Sequence, residues 1–211
     1  MLIIGHRGAK GLAPENTKAS FLRALDSGVD LIELDIRTSA DGLLVVHHDP
    51  AIGNDKIAVT NYKKLKSLKP DLLKLDEALS VVGNKCPVII EIKKGTDILS
   101  TIETLKKLSL PADTQFCSFY MPALLAIKLA FPSAIVTVNE KWSGVRGSYR
   151  CRKLDTEFLA MNQRWLWFGF ISSMAKSGYK LSAYPLNSPS KAKKWAKHGL
   201  YAAVTDRPDL L

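Results

Sequence analysis

Two carboxylates on one strand face are the first residues here whose type and spacing could do chemistry. Glu33 and Asp35 stand two apart in the apolar run Leu31–Ile36, and because side chains alternate across a strand they point the same way. An unpaired carboxylate is costly to bury. The pair therefore either meets Arg or Lys, or holds a hard cation of the Ca2+ or Mg2+ kind, which prefers carboxylate oxygens. The run Pro87–Lys93 repeats the pattern, with Glu91 and Lys93 sharing a face. It adds a third carboxylate and a point positive charge suited to a phosphate, or, on the plainer reading, a Glu–Lys salt bridge.

Imidazoles sharpen this chemistry. His6 ends the first strand-like run and leads into Arg7-Gly8, and His48 ends the run Leu43–His48 before Asp49-Pro50. Two histidines on strand ends could move protons as acid and base near neutrality, although a lone strand-end histidine is more often a structural hydrogen-bonding group. Alternation turns His47 away from His48, and His198 sits in a basic helix end, so neither takes a role. Arg7 offers a planar fork to an anionic oxygen. In Pro14–Thr17, Asn16 or Thr17 reads as the cap of the following helix, while Glu15 and Asn16 are open to a ligand role.

These residues need a frame. Strand-like runs at 2–6, 31–37, 43–48, 88–93, 114–118, 134–138, 158–161, 179–184 and 201–205 alternate with helix-like stretches at 17–27, 61–69, 75–82, 97–108, 121–131, 166–177 and 190–198. Such alternation with short connections implies a parallel sheet built from right-handed crossovers. Eight or nine strand units in 211 residues suit a compact (β/α)8 TIM barrel forming one domain over residues 1–211, with an open doubly wound sheet as the alternative. Polar residues at the ends of several different strands (His6-Arg7, Glu33 and Asp35, His48-Asp49, Glu91 and Lys93, Ser118, Asn162) favour the barrel.

Composition excludes whole classes. Hydrophobic residues at 46% and charged residues at 24% are ordinary for a globular chain, and neither a membrane-spanning run nor a signal-peptide pattern is present, which points to the cytoplasm. Cys86, Cys117 and Cys151 form no metal-binding pair and read as buried thiols. Thirty Lys plus Arg against twenty Asp plus Glu give a formal charge of +10, attractive to polyanions. The basic residues fall in several clusters: 63–74, 146–153 and, on one helix face, 191–197.

The ordered set His6-Arg7-Gly8, Pro14–Thr17, Glu33-x-Asp35, Asp41-Gly42, Val45–Pro50, Glu91-x-Lys93, Ser118-Phe119 and Val204–Pro208 resembles the glycerophosphodiester phosphodiesterase family. The resemblance implies a (β/α)8 barrel that cleaves glycerophosphodiesters to sn-glycerol 3-phosphate and an alcohol. It implies Glu33, Asp35 and Glu91 as ligands of a divalent metal ion, Ca2+ or Mg2+. It further implies His6 and His48 as general acid and base, Arg7 and Lys93 as phosphate contacts, and Glu15 and Asn16 in a loop near the metal. Two departures bear on the substrate. The stretch 51–74 is a shortened, lysine-rich counterpart of the family's capping insertion, and the late Trp-Thr-Val-Asn of the family is Tyr184-Pro185-Leu186-Asn187 here.

Two other readings compete. A phospholipase C- or D-like enzyme acting on lipid head groups would suit the charge and a weak association with an anionic membrane surface, but no exposed amphipathic aromatic segment is evident. A basic nucleic-acid-binding domain would need aromatics interleaved with basic strands, whereas Phe and Tyr fall mostly at core-like positions.

Overall fold

Alternation along one strand lays out the architecture. In the computed structural model, which describes residues 1–211, β2 (Leu31–Thr38) turns Ile32, Leu34 and Ile36 outward into the main core, each fully buried. Leu31, Glu33 and Arg37 face the opposite way and line the barrel cavity. The other barrel strands are β1 (Leu2–Gly5), β7 (Val88–Ile92), β8 (Gln115–Ser118), β9 (Ile135–Glu140), β10 (Phe158–Asn162), β11 (Lys180–Tyr184) and β12 (Ala202–Thr205). Neighbours run parallel, in the order β1-β12-β11-β10-β9-β8-β7-β2, and the pairs Ile4↔Leu31 and Gly5↔Ile32 close β1 onto β2. This is the closed (β/α)8 barrel that the strand ends favoured, not the open sheet.

The helices α1 (Lys18–Asp26), α3 (Leu75–Val82), α4 (Ile98–Lys107), α5 (Met121–Ala130), α6 (Gly144–Lys153), α7 (Phe168–Lys176) and α8 (Pro189–Ala196) follow the barrel strands. They share with the outward strand faces a cluster of 38 buried residues. The barrel interior holds a small second core of Ile4, Leu31, Ile89, Cys117, Ala202 and Val204 beneath the polar strand ends. All three cysteines are buried free thiols.

Nine strand-like runs become eight barrel strands because one leaves the barrel. Leu43–His48 forms β3 (Leu44–Val46), which pairs antiparallel with the end of β2 through Ile36↔Val46 and with β6 (Leu73–Lys74). Between them lie the hairpin of β4 (Ala51–Ile52) and β5 (Asp55–Lys56), a 3-10 turn over Ile57–Val59, and α2 (Tyr62–Leu68). This reduced cap closes on its own apolar cluster of Val45, Ile52, Ile57, Leu65 and Leu72.

Helix α6 has no counterpart among the stretches read from the sequence. Its ten residues include two glycines, three arginines and a lysine, so the apolar period is lost. Ser143 caps it by accepting from Arg146 N. Gly147 lets it approach β10, since a Cβ there would come within 2.8 Å of Leu159 Cδ1.

Candidate active site

The turn after β1 begins the site. Arg7 (φ 51) and Gly8 (φ +80) are both left-handed, and Gly8 is required twice over, because a Cβ there would also sit 2.5 Å from Ser20 Oγ. The turn aims Arg7 N at Glu33 Oε2, 2.8 Å away. Arg7 then lays Nη1 across both carboxylate oxygens of Glu15 at 2.9 and 2.8 Å and brings Nε within 3.4 Å of Asp35 Oδ2. Asn16, also left-handed, donates Nδ2 to Asp35 Oδ2 at 2.8 Å and accepts from Asp35 N.

From β2 and β7, Glu33, Asp35 and Glu91 converge, with one oxygen of each within 4.8 Å of the others and all three buried. Lys93 Nζ lies 2.6 Å from Glu91 Oε1 and 3.0 Å from Asp35 Oδ1, and Asn139 donates to Glu91 Oε2. Three anions thus face two cations, one of which Glu15 already engages. Burial, then Asp35 and Glu91, pushes the Glu33 carboxyl well above its usual range. Burial and Asp35 raise Glu91 to about 6. Asp35 is the exception: burial raises it, but Lys93, Arg7 and Asn16 together hold it below its usual value. Asp35 Oδ1, fully buried, has no hydrogen bond of good angle despite the nearby ammonium. An all-oxygen donor set, an orphaned carboxylate oxygen and a deficit of positive charge fit a hard divalent cation.

Each histidine is oriented by a carboxylate. His6 Nδ1 lies 2.6 Å from Asp206 Oδ1; Asp206 Oδ2 accepts from Asn187 Nδ2 at 2.8 Å, and Asn187 Oδ1 accepts from Thr205 Oγ1 and Asp206 N. His48 Nδ1 lies 2.8 Å from Asp49 Oδ1. The His48 carbonyl accepts from Arg37 Nε and Nη2 at 2.9 and 2.7 Å, while Arg37 Nη1 reaches Lys94 O. Burial lowers both histidines, Asp206 working against it at His6 and Lys93 reinforcing it at His48. Both are therefore neutral near pH ~7, with Nδ1–H directed to a carboxylate and Nε2 free to take a proton.

A cavity of about 690 Å3 runs through the barrel from Leu2, Gln115 and Phe158 at the N-terminal strand ends to the C-terminal ends, where His6, Arg7, Glu33, His48, Glu91 and Lys93 line it. Asp35, Glu15 and Asn16 stand behind that lining, in contact with Arg7 or Lys93. Ser118 is structural: its hydroxyl donates to Ile92 O and accepts from Tyr120 N. His47 turns away, its Nε2 3.3 Å from Ala51 O. Sequence reasoning gave no site role to Asp206, Asn187, Arg37 or Asn139. Arg37 carried a signal as the third inward position after Glu33 and Asp35, and Asp206 and Asn187 fall in segments that match or replace family motifs; Asn139 carried none.

One expectation is overturned. Aromatic residues are exposed at the cavity mouth: Trp142 is 64% accessible, Trp165 49% and Trp167 59%. No exposed amphipathic aromatic segment was evident in the sequence, which placed a helix-like stretch at 166–177, but α7 begins only at Phe168. Residues Gln163–Trp165 form a 3-10 turn whose indole faces outward.

Comparison with known proteins agrees with this geometry. The sequence model of the glycerophosphoryl diester phosphodiesterase family matches residues 6–110. A glycerophosphodiester phosphodiesterase of Caldanaerobacter subterraneus is 25% identical over 241 residues, spanning 100% of this chain and 96% of that protein. The structure of an Oleispira antarctica phosphodiesterase in complex with the product sn-glycerol-3-phosphate superposes with a TM-score of 0.88 at 28% identity, covering 99% of this chain and 94% of that one. A glycerophosphodiester phosphodiesterase of Thermotoga maritima shares the fold, with a TM-score of 0.80 at 24% identity over 100% and 96% of the two chains. By its barrel, the residues gathered at its mouth and these full-length likenesses, the chain belongs to the glycerophosphodiester phosphodiesterase family.

Proposed function

We propose that this protein is a divalent-cation-dependent phosphodiesterase that cleaves glycerophosphodiesters to sn-glycerol 3-phosphate and an alcohol, with the barrel of residues 1–211 as a single catalytic domain. The observation that carries the reading is the meeting, around one cavity, of three buried carboxylates, a half-buried lysine and two carboxylate-oriented neutral histidines. Glu33, Asp35 and Glu91 would hold the cation, which supplies charge stabilisation at the phosphoryl oxygens. Lys93 and Arg7 add fixed positive charge at the same oxygens.

His6 and His48 divide the proton traffic. One accepts the proton of the attacking hydroxyl at Nε2, and the other, once protonated, gives a proton to the departing alkoxide. The family likeness makes the substrate's own glycerol hydroxyl the attacker, forming a cyclic phosphate that water then opens. Asp206 and Asp49 fix the tautomers that leave both Nε2 atoms available. The test is a panel of glycerophosphodiesters assayed before and after exhaustive chelation, then with Ca2+ or Mg2+ restored. Activity lost and regained supports the reading; full activity after chelation refutes the cation's part in it.

A second reading, hydrolysis at lipid head groups, gains from the exposed tryptophans at the mouth. Comparing turnover of a soluble glycerophosphodiester with that of the same head group in vesicles separates the two.

A further inference from the structure

The formal charge of +10 is concentrated in one part of the molecule. Residues 141–205 carry twelve Lys and Arg against two Asp and Glu, while the remaining residues balance at eighteen of each. The two acids, Asp155 and Glu157, precede β10 and so lie at the end of the barrel away from the mouth. From Phe158 to Thr205 the chain has none. Residues 141–205 form the loop after β9 with α6, then β10, α7, β11, α8 and β12, consecutive neighbours around the barrel, and it is this part of the ring that carries the exposed aromatics of the rim.

The geometry of that rim is specific. After β9, Trp142 projects beside Trp165 of the loop after β10, their ring centroids 6.2 Å apart, so two separate loops present one aromatic surface. Trp167 continues it, 5.3 Å from the half-buried Phe170. Exposed Lys141, Arg146 and Arg164 stand among these rings. The single carboxylate nearby, Glu140, is buried and already ion-paired with Arg146 and Arg150. Trp142, Lys141 and Arg146 also line the cavity, so the surface runs without a break into its mouth.

Indoles at the level of the head groups, flanked by cations and free of exposed acids, match the interface of an anionic bilayer. We propose that this rim docks the protein on an anionic phospholipid surface, with the cavity mouth held against the head groups. A nucleic acid would also answer the charge. The tryptophans, however, project outward from two loops and line no groove that tracks a backbone, and the positive field surrounds an apolar tip. The proposal rests on the phosphodiesterase reading only for what the cavity then meets. Docking is read without turnover, so the failure of one and of the other are distinguishable.

The test is co-sedimentation with vesicles of phosphatidylcholine alone and with about 30% phosphatidylglycerol added, together with quenching of tryptophan fluorescence by bromine-labelled acyl chains. The protein should bind the anionic vesicles at least about tenfold more tightly than the neutral ones, lose about tenfold or more of that affinity in high salt, and show quenched tryptophan emission. Trp165→Ala combined with Trp167→Ala should weaken binding about tenfold while leaving hydrolysis of a soluble diester unchanged. Trp165→Phe with Trp167→Phe should retain binding and so control for folding. Failure of the unmodified protein to sediment with the anionic vesicles overturns the proposal. So does emission left unquenched on them, or tighter binding to duplex DNA than to vesicles.

Discussion

Loading the carboxylate cluster with a divalent cation should expel a proton. Oxygens of Glu33, Asp35 and Glu91 lie within 4.8 Å of one another, so at an effective dielectric of about 20 each ionised pair repels by at least about 3.5 kcal/mol. Protonating an ordinary glutamate at pH ~7 costs about 3.4 kcal/mol. Glu33 faces two such neighbours, and with burial they outweigh Lys93 and the Arg7 amide donor, holding its carboxyl well above its usual range in the cation-free protein. Glu91, raised to about 6, is about nine-tenths protonated at pH ~5 and about one-tenth at pH ~7, which alone weakens cation affinity roughly tenfold across that interval. Glu33 acts in the same direction. The sign follows from carboxyls raised in the empty fold: affinity climbs with pH and levels off above their titration. Isothermal titration calorimetry with Ca2+ or Mg2+, in buffers of differing ionisation enthalpy, counts the released protons, and Glu33→Gln should lower that count. Zero proton release, or an affinity that is flat or falls between about pH 5 and pH 7, would refute the reasoning.

Three further outcomes are expected. His6→Ala and His48→Ala should each cut turnover by roughly two to four orders of magnitude while His47→Ala does not; a p-nitrophenyl ester, whose leaving group needs no proton, should rescue whichever variant lacks the general acid and leave the other inactive. Arg37→Met removes the three donors that hold the carbonyls of His48 and Lys94, so kcat should fall about tenfold with KM nearly unchanged, and hydrogen exchange should rise in the His48 loop. Glu140, 1% exposed, is pushed up by burial but held at about 2 by Arg146 and the backbone donors of Trp142 and Lys141. Because its folded value lies below the unfolded one, its stabilisation is present above about pH 4.5 and lost as pH falls toward about 2. Glu140→Gln should cost about 1–3 kcal/mol in urea at neutral pH and flatten the acid limb of the stability profile.

The sequence made visible what alternation encodes. Glu33 with Asp35, and Glu91 with Lys93, sit in strands whose period of two fixes their facing before any fold is known. His48 was legible as a strand-end histidine, but not the reason it returns to the site: β2 outruns the barrel and pairs with β3, carrying the chain back over the mouth. Helix α6 was invisible because its glycines and arginines erase the apolar period; its docking depends on a close approach at Gly147 that only the packed barrel reveals. The exposed aromatic rim was not evident in the sequence for a related reason. An apolar run reads as buried whether it lies within a helix or just ahead of one, and the boundary at Phe168 decides which. Asp206 and Asn187 lay in motif-like segments of the sequence, but the role they share comes from a hydrogen-bonded chain across two neighbouring strands, which local pattern does not show.

The contact between His6 and Asp206 spans 200 positions of the chain. The histidine follows the first strand of the barrel, while the carboxylate that orients it stands on the turn after β12, the strand that seals the barrel against β1. Loss of that closing pairing removes no residue of the Glu33–Asp35–Glu91 cluster but takes from His6 the carboxylate that orients it. Activity becomes a report on closure itself, appearing only when the slowest and most non-local pairing in the fold has formed. The same adjacency puts the two termini on neighbouring strands. A circular permutant joining them and opening an exposed loop such as that at Gly53 should regain full activity, with its last-made contact moved elsewhere in the ring.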